Sequence, residues 1–160
     1  MTKRGPHPDA ARRIREAARR LIASGAVGDD RAPRPGAVGT PVPVRAPSGE
    51  LNSWFVPVAA SGRRLAAFLQ LLPDGTLMRF SMFATPPPAA DWLDAKTILR
   101  RAQAEQRPGE TAGRPFLTYD RNPDRLAWGV ILTDEGGAER LVLVAGDTVY
   151  SPPAAGGVGG

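Results

Sequence analysis

This chain contains no cysteine, a single histidine and no long apolar run, and each shortage removes a class of function. Without cysteine there is no disulfide framework, no thiolate nucleophile and no cysteine metal site. The one histidine, His7, stands in an N-terminal segment read as loose, whereas a Ser-His mechanism needs its imidazole held against a nucleophile. Ser53, Ser61 and Ser81 fit strand-end, turn and surface positions instead. No apolar stretch is long enough to cross a bilayer. The opening MTKRGPHPDAARR is basic, but no apolar h-region follows it. It does not read as a secretory signal, and the expected location is cytoplasmic. Lysine is scarce too: of 21 basic residues only Lys3 and Lys96 are lysine. That arginine excess reads as GC-rich coding rather than as a functional signal.

Motifs for catalysis are equally thin. The glycines lie in hairpins and not before helices, so no phosphate loop or dinucleotide fingerprint is present. Asp120, Asn122 and Asp124 have the first spacing of a calcium loop. Arg125 stands where that loop needs glycine and Ile131 where it needs glutamate, so an Asx-rich turn is the better reading. Asp134 and Glu135 are adjacent acids in a turn. A carboxylate pair for glycoside chemistry would have to be assembled from residues such as Glu50, Asp74 and Asp120, and no spacing points to it. No catalytic residue, cofactor or metal is therefore assigned.

What the chain does have is 18 glycines and 17 prolines, gathered in 32–49, 84–90 and 152–160. Its 160 residues fit one domain or two closely packed half-domains. Residues 1–24 carry seven basic side chains against Asp9 and Glu16, which equals the whole net charge of +5. The chain reads as a neutral body with a basic N-terminal helix.

The most strongly patterned stretch is Ser53 to Phe83. Trp54, Val56 and Val58 recur at the strand period, and Ser61-Gly62 breaks the run with a residue suited to a hairpin turn. Leu65, Ala67, Leu69 and Leu71 resume the alternation, and apolar Phe68 and Leu72 make this a central strand. Pro73-Asp74-Gly75 is a turn, and Leu77 to Phe83 forms a third strand with Met78, Phe80 and Met82 on one face. Pro57 lacks a ladder donor, which predicts an edge position for the first strand.

A looser copy follows at Leu126 to Pro153. Trp128 matches Trp54, Val130 matches Val56, Gly136 matches Gly62, and Arg140-Leu141 matches Arg64-Leu65. Two readings fit: a duplication, or two sheets alike because alternation and turn glycines are common. A helix precedes each. Asp9 is the expected N-cap of the first, with Ala10, Ala11, Ile14, Ala17, Ala18, Leu21 and Ile22 on its apolar face and Gly25 at its end. Asp91 caps the second, with Asp94 three residues on; Trp92, Ala95, Ile98, Leu99 and Ala102 are buried, and Pro108-Gly109 stops it. Val42 and Val44 suggest one more edge strand, and Phe116–Tyr119 a short one.

The predicted fold is α+β: two helices packed on antiparallel β-sheet, as two similar α-β-β-β halves. Its segments are the basic amphipathic helix 1–25, a Pro/Gly-rich connector 26–50, the first sheet unit 51–90, a helix with the second sheet unit 91–151, and a flexible tail 152–160. The Ala10–Ile22 helix, Trp54-Phe55-Val56-Pro57-Val58, and Leu69 to Leu77 with Asp74-Gly75 at the turn resemble the helix-on-antiparallel-sheet modules of the PepSY and cystatin-like kind. The long proline connector and the missing cystatin glycine-loop motif depart from that pattern. The resemblance implies a binding or inhibitory module and no enzyme.

Three functional readings follow. The first is a non-catalytic cytoplasmic protein-interaction or regulatory module that binds a protein partner through its sheet face, at Trp54, Phe55, Phe68, Phe80 and Trp128. The second is a nucleic-acid-associated accessory protein using Arg12, Arg13, Arg15, Arg19 and Arg20. The third is a small-ligand cup, or an enzyme, with a pocket between sheet and helix. No membrane span is expected, and a dimer is compatible with the edge strand.

Overall fold

The computed structural model describes residues 8–27 and 37–152. The chain divides into two compact units, Met1–Ala89 and Ala90–Gly160. No helix among the described residues is long and apolar enough to cross a membrane.

The first unit has one helix, α1 (Pro8–Ala23), and four strands, β1 (Val42–Arg45), β2 (Leu51–Ala60), β3 (Arg64–Leu71) and β4 (Leu77–Met82). The strands pair antiparallel with their chain neighbours, β1 to β2 to β3 to β4. Pro8 is already helical, in the first turn where a missing N–H costs nothing. Asp9 therefore lies inside the helix and not at its cap, and its carboxylate accepts a 2.9 Å bond from Arg12 Nη2. The helix ends as expected at Gly25, whose φ of 76° lets Gly25 N reach Ile22 O and Ala26 N reach Leu21 O, both at 3.1 Å.

Ile14, Ala18 and Ile22 of α1 bury against Trp54, Val56 and Val58 of β2 and Ala67, Leu69 and Leu71 of β3. Each large side chain removed from water there contributes about 1.5–3 kcal/mol. The turn at Pro73-Asp74-Gly75 forms as read: Gly75 has φ 90°, and Asp74 Oδ1 accepts from Thr76 N at 2.9 Å. That bond, above all, lowers the Asp74 pKa.

Pro57 does not mark an edge. β2 has β3 on one side and β1 on the other, and Pro57 itself is buried opposite Phe68. The proline is tolerated because the β1 ladder starts only at Val42, opposite Phe55. The N–H that Pro57 lacks faces the approaching segment beyond that ladder, where Gly39 N donates to Pro57 O at 2.8 Å. A Cβ on Gly39 would stand 3.1 Å from the proline ring, so glycine permits this approach.

The second unit holds α2 (Ala90–Leu93), α3 (Ala95–Gln103), and strands β5 (Thr111–Ala112), β6 (Phe116–Tyr119), β7 (Leu126–Thr133), β8 (Glu139–Ala145) and β9 (Thr148–Tyr150). β6, β7, β8 and β9 form an antiparallel meander, and β5 pairs with the far end of β7. The single helix expected here is two. Asp94 takes an extended conformation and caps α3 by accepting from Thr97 N and Oγ1, which ends α2 and begins α3. In the β7–β8 hairpin the left-handed glycine is Gly137, φ 85°, one residue past the Gly136 expected to match Gly62. Gly129 has a packing role: a Cβ there would meet Phe116 Cζ at 2.7 Å.

The architecture is thus α+β with antiparallel sheet, carrying three helices among the described residues and not the two expected.

Candidate functional site

The five aromatic residues read as a partner surface are mostly interior. Trp54 and Phe55 are fully buried, Phe68 and Trp128 nearly so, and Phe80 is half-buried. Trp54 belongs to the α1 core. Trp128 Nε1 donates to Trp92 O at 3.0 Å, satisfying the one polar atom of the indole. Phe55 and Phe68 stack on the opposite face of β2 and β3, ring centres 4.9 Å apart, and Phe83 lies 5.8 Å from Phe68. These rings form packing and no open apolar face.

A polar chain runs beside them. Gln70, fully buried, donates from Nε2 to Ser53 Oγ at 2.9 Å, and its Oε1 accepts from Arg79 Nε at 2.9 Å. The Arg79 guanidinium also lies 4.9 Å over the Phe68 ring. Ser53 is therefore a buried structural hydroxyl.

The exposed apolar side chains lie elsewhere. Met82 is 46% exposed and Met78 37%, both on β4, and Leu72 in the preceding turn is 37% exposed. β4 is the outer strand of its meander, and among the described residues no strand pairs with its far side. Phe83 N donates to Ala66 O at 3.0 Å, which sets the phase of the ladder. Arg79, Ser81 and Phe83 direct their backbone groups to β3, so Phe80 and Met82 present N–H and C=O outward. β4 runs six residues without proline or lysine; its one charged side chain, Arg79, is drawn down onto Gln70 and the Phe68 ring, and the register shift in its ladder lies at the Leu77 end. β9, outermost in the second unit, is three residues long and Pro152 lies two residues beyond it.

The arginines of α1 do not act as one face. Arg15 is half-buried and forks onto Val38 O at 2.9 and 3.2 Å. Arg12 pairs with Asp9, and Arg13 Nε donates to Asp9 O at 3.4 Å. Arg19 is half-buried and Arg20 exposed. Arg13 and Arg20 line a shallow groove of about 350 Å³ between α1 and the β3–β4 turn, with Ala17, Pro73, Asp74 and Gly75.

The second unit concentrates its ionic groups in structural pairs. Glu110, 8% exposed, takes Arg140 Nε and Nη2 on its two oxygens, each at 2.8 Å, and also accepts from Arg107 N at 2.7 Å. The Arg140 hydrogen bonds, outweighing desolvation, hold the Glu110 pKa down at about 2. Arg101 joins Asp91 to Gly146 O. Buried Asp120 accepts from Tyr150 Oη at 3.0 Å, and burial followed by this bond pushes the Tyr150 pKa up. Asn122 N returns to Asp120 O and Arg125 N to Asn122 O, so this segment is an Asx-rich turn. A depression of about 430 Å³ lies at Pro108, Gly109 and Asp134–Gly136, where the Asp134 carboxylate is taken up by Gly136 N and Ala138 N.

Among the described residues no three His, Asp or Glu side chains gather as metal ligands. Of the carboxylates weighed for acid–base work, Glu50 is exposed, Asp74 serves its turn and Asp120 holds Tyr150. His7, Lys3, Arg4 and the tail beyond Pro152 lie outside the described residues. Compared with known proteins, the chain matches no family model, and neither a curated protein nor a solved structure matches it.

Proposed function

We propose that this chain is a non-catalytic, cytoplasmic protein-interaction module that takes an extended segment of a partner along the outer edge of β4. One observation carries the reading: Phe80 and Met82 turn their backbone donors and acceptors outward on a strand whose methionines stand exposed. An added strand gains main-chain hydrogen bonds at those two residues, and side-chain contacts at Met78 and Met82. Methionine is unbranched and polarizable, so such an edge suits a varied apolar partner. The buried aromatic residues then act as the stiff support of this edge. The resemblance to PepSY and cystatin-like modules points the same way, toward binding and regulation. The matched tryptophans Trp54 and Trp128, each on the second strand of a four-stranded meander, support descent of the two units from one duplicated element.

The accessory nucleic-acid reading draws on Arg12, Arg13, Arg19 and Arg20, because Arg15 is spent on Val38 O. Selection of peptides from a displayed random library separates the two. The β4 reading expects extended peptides with alternating apolar residues. Their binding should survive high salt and be lost in Met82→Pro, which removes an outward N–H and no bond of the β3–β4 ladder. Peptide binding that Met82→Pro leaves intact, or recovery only of salt-sensitive polyanions, contradicts it.

A further inference from the structure

Resting on the reading of β4 as an open edge, we infer that a second copy of this chain occupies that edge when no partner segment is bound. The strand is self-complementary about a two-fold axis at Ser81. In that register Phe80 stands opposite Met82 of the second copy, and Met82 opposite Phe80 of the second copy. These are the two residues whose N–H and C=O face outward, so each pair exchanges two hydrogen bonds and the junction closes with four. The side chains agree with the backbone. Phe80 and Met82 lie on the α1 face of the sheet, opposite Leu69 and Ala67 of β3, so each junction pair sets a thioether against an aromatic ring.

On the other face Ser81 meets Ser81 of the second copy, a pair that hydrogen-bonds across strands. Arg79 meets Phe83 of the second copy, and no like charges stand opposite each other. Arg79 is suited to this position, since its guanidinium is already drawn down onto Gln70 and the Phe68 ring. The pairing is closed by its symmetry: once two β4 strands meet, neither edge remains for a third chain. It buries the exposed Met82 and makes the self-paired state a competitor of any partner strand.

The test measures the mass of the full chain by light scattering across a wide concentration range, with amide hydrogen exchange at Phe80 and Met82. Wild type should move from 16.9 kDa toward twice that mass, with both amides slowing as it does. Met82→Pro and Ser81→Lys, the latter placing two positive charges at the axis, should stay at the single-chain mass. Thr148→Lys on β9 should dimerise as wild type does. Ser81→Lys carries the comparison alone if circular dichroism shows Met82→Pro unfolded. A wild type that stays single-chain with both amides exchanging freely overturns self-pairing and leaves the open edge standing. Amides protected in the single chain overturn both. A dimer that survives both substitutions overturns self-pairing by placing the contact on another surface.

Discussion

Arg79 and Gln70 stand directly opposite each other on β4 and β3, joined by a 2.9 Å hydrogen bond from the guanidinium to the buried amide oxygen. The same amide donates to Ser53 on β2, so one side chain ties three strands together beneath the outer edge. Replacing it leaves the fully buried Ser53 hydroxyl without its amide donor and removes the oxygen that holds Arg79 on β3. Gln70→Leu should cost about 1–3 kcal/mol in denaturant unfolding, the range for orphaned buried hydrogen-bond partners. Gln70→Leu with Ser53→Ala should cost less than the sum of the two singles, because the second change removes one orphan. Additive losses would show that the chain Ser53–Gln70–Arg79 is not coupled.

Acid should find the Glu110–Arg140 pair. The Glu110 pKa falls from an ordinary 4.5 to about 2 on folding. A carboxylate with a depressed folded pKa contributes stability that is fully present above 4.5 and is lost as pH falls toward 2. The thermal midpoint of wild type should therefore drop across that window. Glu110→Gln should lower the midpoint at neutral pH and flatten its acid dependence. An unchanged acid slope in the variant would assign the drop to other groups.

Gly129 is where the second unit has no room. Its missing Cβ leaves space for the Phe116 ring at 2.7 Å. Gly129→Ala should destabilise by about 1–3 kcal/mol through overpacking, and Gly129→Ala with Phe116→Leu should recover part of that loss. Equal stability of Gly129→Ala and wild type would contradict the packing.

Thr118 is buried, and its hydroxyl has no hydrogen-bond partner among the described residues. Thr118→Val keeps the shape and removes the orphan, so its unfolding midpoint should match or exceed that of wild type. A clear loss would show that the hydroxyl is bonded in solution.

Local chemistry was legible in the sequence, and placement was not. The turn at Asp74-Gly75, the end of α1 at Gly25 and the alternation of Trp54, Val56 and Val58 all follow from near neighbours. Pro57 misled because edge and interior differ by what lies across the ladder, and the strand at Val42–Arg45 supplies that partner from outside the patterned stretch. Asp94, whose spacing from Asp91 suits the partner of a cap, is itself a cap, since one short side chain serves either role. The aromatic residues Phe55 and Phe68 alternate as an open face would, yet they are buried, and one strand's pattern does not record what covers it. The β4 edge is hidden for the same reason: alternation puts Met78, Phe80 and Met82 on one face, while their place on the outer strand of the meander is a property of the whole sheet.

Basic residues of α1 should be bystanders to peptide capture. A triple Arg12→Ala, Arg13→Ala, Arg20→Ala variant should bind a selected peptide within about twofold of wild type, since exposed charges at a rim contribute little affinity. A tenfold loss would move the binding surface to the helix.

The most direct measurement is the backbone amide spectrum of the isotope-labelled chain, titrated with a peptide selected on wild type. With the chain held at a concentration where it is single, a strand added at β4 predicts the largest shifts at Phe80 and Met82, with slowed exchange at those two amides. Shifts centred on the α1 arginines or on β9, with Phe80 and Met82 unmoved, would contradict the account.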